Sequence, residues 1–148
     1  MDKKSVRDRI IEIGIVPVIR ASSSREALLA AEAVAVGGIP IVEITMTVPG
    51  AVEVIRELAK TNSSKILIGA GTVLDAEAAR RCRDAGAQFL VSPALNVETI
   101  EFATKENFQP FSQGQAQRSV KTQHTKRSQK INCDIYTRYK IIFFTTFF

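Results

Sequence analysis

Four short apolar runs recur along the chain at nearly even intervals, each followed by an amphipathic stretch. They begin near residues 15, 41, 65 and 88, a period of 23 to 26 residues. Alternation of this kind predicts parallel strands joined by right-handed helical crossovers. It bounds the fold more tightly than any other feature of the chain.

The first run, Ile15-Val16-Pro17-Val18-Ile19-Arg20, is short, β-branched and apolar on both faces, as a buried strand requires. Ser22, Ser23 and Ser24 offer N-caps to a helix running to about Val36, and Gly37-Gly38 ends it. Ile41-Val42-Glu43-Ile44-Thr45 is the second strand. Pro49-Gly50 opens a helix to about Lys60, with Val52, Ile55 and Leu58 on one face. The third strand is predicted over residues 65–69, with Gly69-Ala70-Gly71-Thr72 as a turn. Asp75 caps the next helix, which Gly86 stops. A fourth strand over residues 88–92 precedes Pro93 and a helix over residues 96–106. Four such units fit a doubly wound sheet or half of a (β/α)8 barrel, and period alone leaves both open.

The net charge of +5 suggests a basic protein, but the charge is unevenly placed. Residues 1–110 hold 13 Lys+Arg against 14 Asp+Glu, whereas residues 111–148 hold seven against one. The basic balance therefore belongs to the tail, and nucleic-acid binding by the body loses its main support. The tail also carries five of the eight phenylalanines and both tyrosines, with no apolar periodicity from Phe111 to Lys130. It ends in the apolar, β-prone run Ile141-Ile142-Phe143-Phe144-Thr145-Thr146-Phe147-Phe148. The expected organisation is a partial barrel over 1–110 and a basic, low-order tail over 111–148. The tail's composition is foreign to the body, as a shifted reading frame or mis-joined gene would give; a genuine basic arm is the alternative. No run of 18 apolar residues suggests a membrane span, and no secretory leader is read at the N-terminus. Two cysteines, Cys82 and Cys133, make neither a disulfide framework nor a zinc site. A reduced cytoplasmic setting is expected.

In parallel α/β folds, chemistry gathers at the C-terminal ends of the strands. That rule selects Arg20, Glu43 with Thr45 and Thr47, Thr72, and Ser92 with Pro93. Glu43 is the most informative, because a carboxylate inside an apolar strand is costly to bury unless paired or neutralised. Burial would raise its pKa into the range useful to a general acid/base. A structural ion pair inside the barrel, or a solvated edge position, is the alternative. Arg20 could grip a carboxylate through its guanidinium fork, although composition alone fits a surface arginine as well. Gly69-Ala70-Gly71-Thr72 is not a dinucleotide fingerprint, since position 74 is Leu74. The lone histidine, His124, lies in the tail without a second ligand in register, so no metal centre is expected. Helical packing is the expected role of Cys82.

Four segments together are similar to one family. Val16-Pro17-Val18-Ile19-Arg20-Ala21, Gly37-Gly38-Ile39-Pro40-Ile41-Val42-Glu43-Ile44-Thr45, Gly69-Ala70-Gly71-Thr72-Val73-Leu74 and Ala85-Gly86-Ala87-Gln88-Phe89-Leu90-Val91-Ser92-Pro93 resemble the KDPG/4-hydroxy-2-oxoglutarate (KHG) aldolases in order and spacing. The likeness covers about residues 8–110. It implies a (β/α)8 TIM-barrel fold, here truncated to about four βα units with parallel strands. It implies a homo-oligomer, usually a trimer, that cleaves a 2-keto-4-hydroxy acid to pyruvate and an aldehyde through a lysine Schiff base. No cofactor and no metal are implied.

The resemblance makes Glu43 the general acid/base. Thr72 falls on the pyruvate-binding threonine, and Pro93 lies in the matching strand-four motif. Where many members place an arginine after the second strand, this chain has Thr47. A branch with the same Thr-Val-Pro form takes its arginine from the end of the first strand, which fits Arg20 as the carboxylate ligand. The family's lysine sits in a K-[FL]-F-P context, and none follows residue 110. Lys140 precedes Ile141-Ile142-Phe143-Phe144 without the proline, so no Schiff-base lysine is assigned. The expectation is an aldolase-family chain inactive as written, since the amine supplies the electron sink. The alternatives are a non-catalytic half-barrel that assembles with itself, or an anionic-surface or nucleic-acid binder acting through residues 118–140.

Overall fold

A computed structural model describes residues 1–62, 65–94, 96–112 and 142–147. The elements in chain order are α1 (Lys3–Ile13), β1 (Ile15–Arg20), α2 (Ser24–Val36), β2 (Ile41–Thr45), α3 (Ala51–Asn62), β3 (Leu67–Gly71), α4 (Ala76–Asp84), β4 (Phe89–Ser92), α5 (Val97–Lys105), β5 (Gln109–Ser112) and β6 (Ile142–Phe147). The predicted bounds of β1 and β2 match the observed ones. The basic stretch 118–140, with His124, Cys133 and Lys140, lies outside the described residues.

All pairings in the six-stranded sheet are parallel, in the order β5-β4-β3-β2-β1-β6. A doubly wound sheet would reverse direction at a switch point. Here β1 to β5 lie side by side in sequence order, as in an arc of a (β/α)8 barrel. The fold is therefore of the barrel type, with five consecutive strands. On the far side of β1 stands β6, from the stretch read as a β-prone end.

Four of the five helices among the described residues, α1, α2, α4 and α5, begin on a side chain that satisfies a free backbone N–H. Ser23 Oγ accepts from Glu26 N at 3.3 Å, and Glu26 Oε2 accepts in return from Ser22 N at 3.1 Å. Asp75 and Asn96 cap α4 and α5 in the same way, at 2.7 Å and 2.9 Å. Asp2 caps α1, a helix that the strand–helix period does not announce.

Two apolar layers follow from the period-2 alternation of the strands. Ile19, Val42, Ile44, Ile68, Ala70 and Leu90 pack outward against the helices. Val16, Ile41, Leu67, Phe89, Val91 and Phe111 face inward, with Val6 and Ile10 of α1 packed among them. Phe89 and Phe111 meet edge to face with ring centroids 5.9 Å apart.

The bounds of β3 differ most from the prediction. β3 runs through Gly71, so Gly69 and Gly71 belong to the strand and only Thr72 begins the turn. The reason lies across the sheet. A Cβ on Gly69 would collide with the Phe89 ring, and one on Gly71 with the Glu43 carboxyl. Glycine inside a strand marks such a close approach.

Candidate active site

Glu43 shares its strand face with Ile41, so alternation turns it into the interior rather than toward the helices. It is 2% exposed. Its register partner on β3 is Gly69, and Thr45 pairs with Gly71. The carboxyl leans along the strand and fills the space that Gly71 leaves empty. It therefore sits near the C-terminal ends of the strands. Burial pushes its pKa from 4.5 up to about 8, and the positive charge of Arg20 partly opposes that rise.

Arg20 ends β1, the strand paired with β2, two residues beyond the Val18 that stands opposite Glu43. Its Nε atom is buried and makes no hydrogen bond, and the same is true of Glu43 Oε2. No ion pair joins the two among the described residues. A buried donor and a buried acceptor, two of the three buried side-chain polar atoms without a protein partner among the described residues, are thus left unmet toward the C-terminal end of the strands. Native structures leave few such groups unmet, and each calls for a reason. A carboxylate bound beside Arg20, with a hydroxyl or water at Glu43, would meet both needs.

Thr45 is fully buried directly above Glu43 on β2. Its hydroxyl lies 3.3 Å from the Ile19 carbonyl and 2.6 Å from the hydroxyl of Thr47. These contacts tie the end of β2 to the backbone beside Arg20. Thr47, where arginine is commoner in the resembling family, is exposed but held in this chain of hydroxyls.

Thr72 follows Gly71 directly and adopts a left-handed backbone, φ 58°. Few non-glycine residues take that conformation, and it is held only where surroundings over-determine it. Here both flanks are tied. Met46 N donates to Gly71 O at 2.8 Å, and Val73 N donates to Val91 O at 3.1 Å. The turn brings half-buried Thr72 to the mouth one residue beyond the glycine under the Glu43 carboxyl.

Pro93 follows the end of β4, the strand two removed from β2, at the same end of the sheet, and it is exposed. Beside it, Ser92 is buried and its hydroxyl donates to Ala94 O at 2.6 Å, shaping the loop. Arg20, Glu43 and Thr72 thus stand on, or directly after, the adjacent strands β1, β2 and β3, whereas Pro93 lies one strand further on. Gly71, read from sequence as part of a turn, lies in β3 and leaves room for the Glu43 carboxyl, a role that sequence reading missed. Its signal was a glycine two residues from another glycine in an apolar run, the spacing of one strand face.

Cys82 is buried on α4, with its thiol 3.5 Å from the Met46 sulfur, and burial raises its pKa from 9.0 to about 11. Its place is in packing. No helix among the described residues is long and apolar enough to cross a membrane.

Comparison with known proteins adds an independent observation. The KDPG and KHG aldolase family model matches residues 6–117. A 2-dehydro-3-deoxy-phosphogluconate aldolase of Haemophilus influenzae is 34% identical over 111 residues, covering 75% of this chain and 51% of that protein. The crystal structure of 2-keto-3-deoxy-6-phospho-gluconate aldolase from Zymomonas mobilis superposes with a TM-score of 0.66 at 28% identity, over 76% of this chain and 52% of the other. KDPG aldolase from Legionella pneumophila, solved with pyruvate captured at low pH as a covalent carbinolamine intermediate, gives a TM-score of 0.65 at 30% identity, over 72% of this chain and 52% of the other. The chain spans about half the length of the curated relatives it matches.

Proposed function

The chain belongs to the KDPG and KHG aldolase family, and from that premise we propose that its strand ends form the pyruvate-handling part of a class I aldolase site. Glu43 is the general acid/base, Arg20 holds the substrate carboxylate, and Thr72 and Pro93 line the pyruvate part. The observation that carries the reading is the pair of unmet buried groups, Arg20 Nε and Glu43 Oε2. A carboxyl with a pKa near 8 is protonated in most molecules at neutral pH, so it can give a proton and take it back within one cycle.

Class I cleavage also needs an amine that condenses with the keto carbon, releasing water and leaving an imine to accept the electron pair. The described lysines lie in α1, α3 and α5 and in the turn before β3, none of them on a strand. No lysine in residues 1–148 has the K-[FL]-F-P context of the resembling family. The 148-residue polypeptide is accordingly proposed to bind a 2-keto acid without turning it over. A cytoplasmic setting and a homo-oligomer, a trimer as the resemblance implies, belong to the same proposal.

The test uses the 148-residue chain with pyruvate. Saturable binding seen by ligand-detected NMR should be weakened in Arg20→Met, with no adduct after borohydride treatment. Absence of any binding would overturn the site assignment. A borohydride-trapped lysine would overturn the claim of inactivity and leave the site standing.

A further inference from the structure

The strand β6 pairs in parallel with every residue of β1, from Ile15 opposite Ile142 to Arg20 opposite Phe147. In a closed barrel the strand next to β1 is the one that completes the ring. In this chain that position is filled by a segment whose surroundings share no pattern with the body. We propose that residues 142–147 act as a self-supplied plug for the β1 edge, and that withdrawing the plug exposes a surface that takes up a strand from a second copy of the chain.

Three observations carry this. First, β1 without β6 would be an edge with unpaired backbone groups, Pro17 being its one residue without an N–H, and residues 15–19 of that edge carry no charge. An edge of that kind recruits strands from other chains. Second, Ile142-Phe143-Phe144-Thr145-Thr146-Phe147 is uncharged, free of proline and glycine, and built from β-branched and aromatic residues. Six-residue segments of that composition pair wherever an edge is open. Third, the same chain can deliver the segment. Residues 113–141 connect β5 to β6, and the two strands stand at opposite edges of the sheet. Five strand spacings of about 4.8 Å are short against a connection that can extend by roughly 3.3 Å per residue.

Successive strand residues present their N–H groups to opposite edges. One of the two single variants Phe144→Pro and Thr145→Pro therefore removes a donor aimed at β1. These variants, a chain ending at Ile141, and the parent chain are compared by amide hydrogen exchange and by sedimentation over a range of concentrations. In the parent, β1 amides should be protected equally at every concentration. In the shortened chain and one proline variant, β1 protection should fall by about tenfold or more while β3 protection holds, as for a locally opening unit. The same chains should sediment as larger species.

Unchanged β1 protection in the shortened chain would overturn the proposal. So would protection in the parent that rises with concentration, because the strand would then come from a second copy. Loss of β3 protection together with β1 in all variants would also overturn it, making β6 part of the cooperative core rather than a detachable plug.

Discussion

The Glu43 carboxyl occupies the space where a side chain at Gly71 would lie. The two residues are 28 positions apart in sequence and belong to adjacent strands. One position thus has two demands on it: room for an acid on one side and, one residue later, a left-handed turn at Thr72.

Substituting Gly71→Ala should therefore displace the acid rather than merely stiffen the strand. The methyl group would collide with the carboxyl, at a typical overpacking cost of about 1–3 kcal/mol. The carboxyl relieves the clash by moving toward solvent, and its pKa falls toward 4.5. NMR titration of the Glu43 side-chain carbon would follow the shift. A titration unchanged from the parent would show that the carboxyl does not rest on Gly71.

Stability should depend on pH through Glu43. Its folded pKa is raised from 4.5 to about 8. Between those values the folded chain keeps a proton that the unfolded chain releases, so stability falls as pH rises through the window and levels off above it. At 1.36 kcal/mol per unit, the whole effect is on the order of 5 kcal/mol. Urea denaturation at pH 5, 7 and 9 should show this slope in the parent and lose most of it in Glu43→Gln. Parallel slopes in the two proteins would rule out a raised carboxyl.

Gly69→Ala should destabilise the chain more than an ordinary strand glycine does. The added carbon falls on the ring of fully buried Phe89. We expect a loss of roughly 1–3 kcal/mol, partly recovered when Phe89→Leu is combined with it. Strict additivity of the two substitutions would argue against their contact.

Cys82 should resist alkylation in the folded chain. Burial and a pKa near 11 leave almost no thiolate at pH 8. Peptide mapping after iodoacetamide treatment should find Cys82 modified only as fast as the chain unfolds. Rapid modification would mean that α4 packs less tightly over Met46.

Much of the arrangement was readable residue by residue. β1 and β2 fall on their predicted bounds because each is a short β-branched run between clear breaks. The caps Ser23 and Asp75 act within three residues of themselves, so local pattern suffices to find them. Glu43 stood out as the one charge in an apolar strand. β3 was misplaced by two residues because its glycines have no local preference for a strand. Phe89 and Glu43, on the strands to either side, account for them.

From sequence alone came the alternation of strand and helix and the place of Glu43 as the one charge inside an apolar strand. These depend on spacing and side-chain chemistry, which the chain carries everywhere along its length. Strand order, the unmet pairing needs of Arg20 and Glu43, and the seat of β6 beside β1 were decided only in three dimensions. Period specifies how each segment folds but not which edges meet. That choice depends on backbone groups and side chains brought together from far apart in the chain.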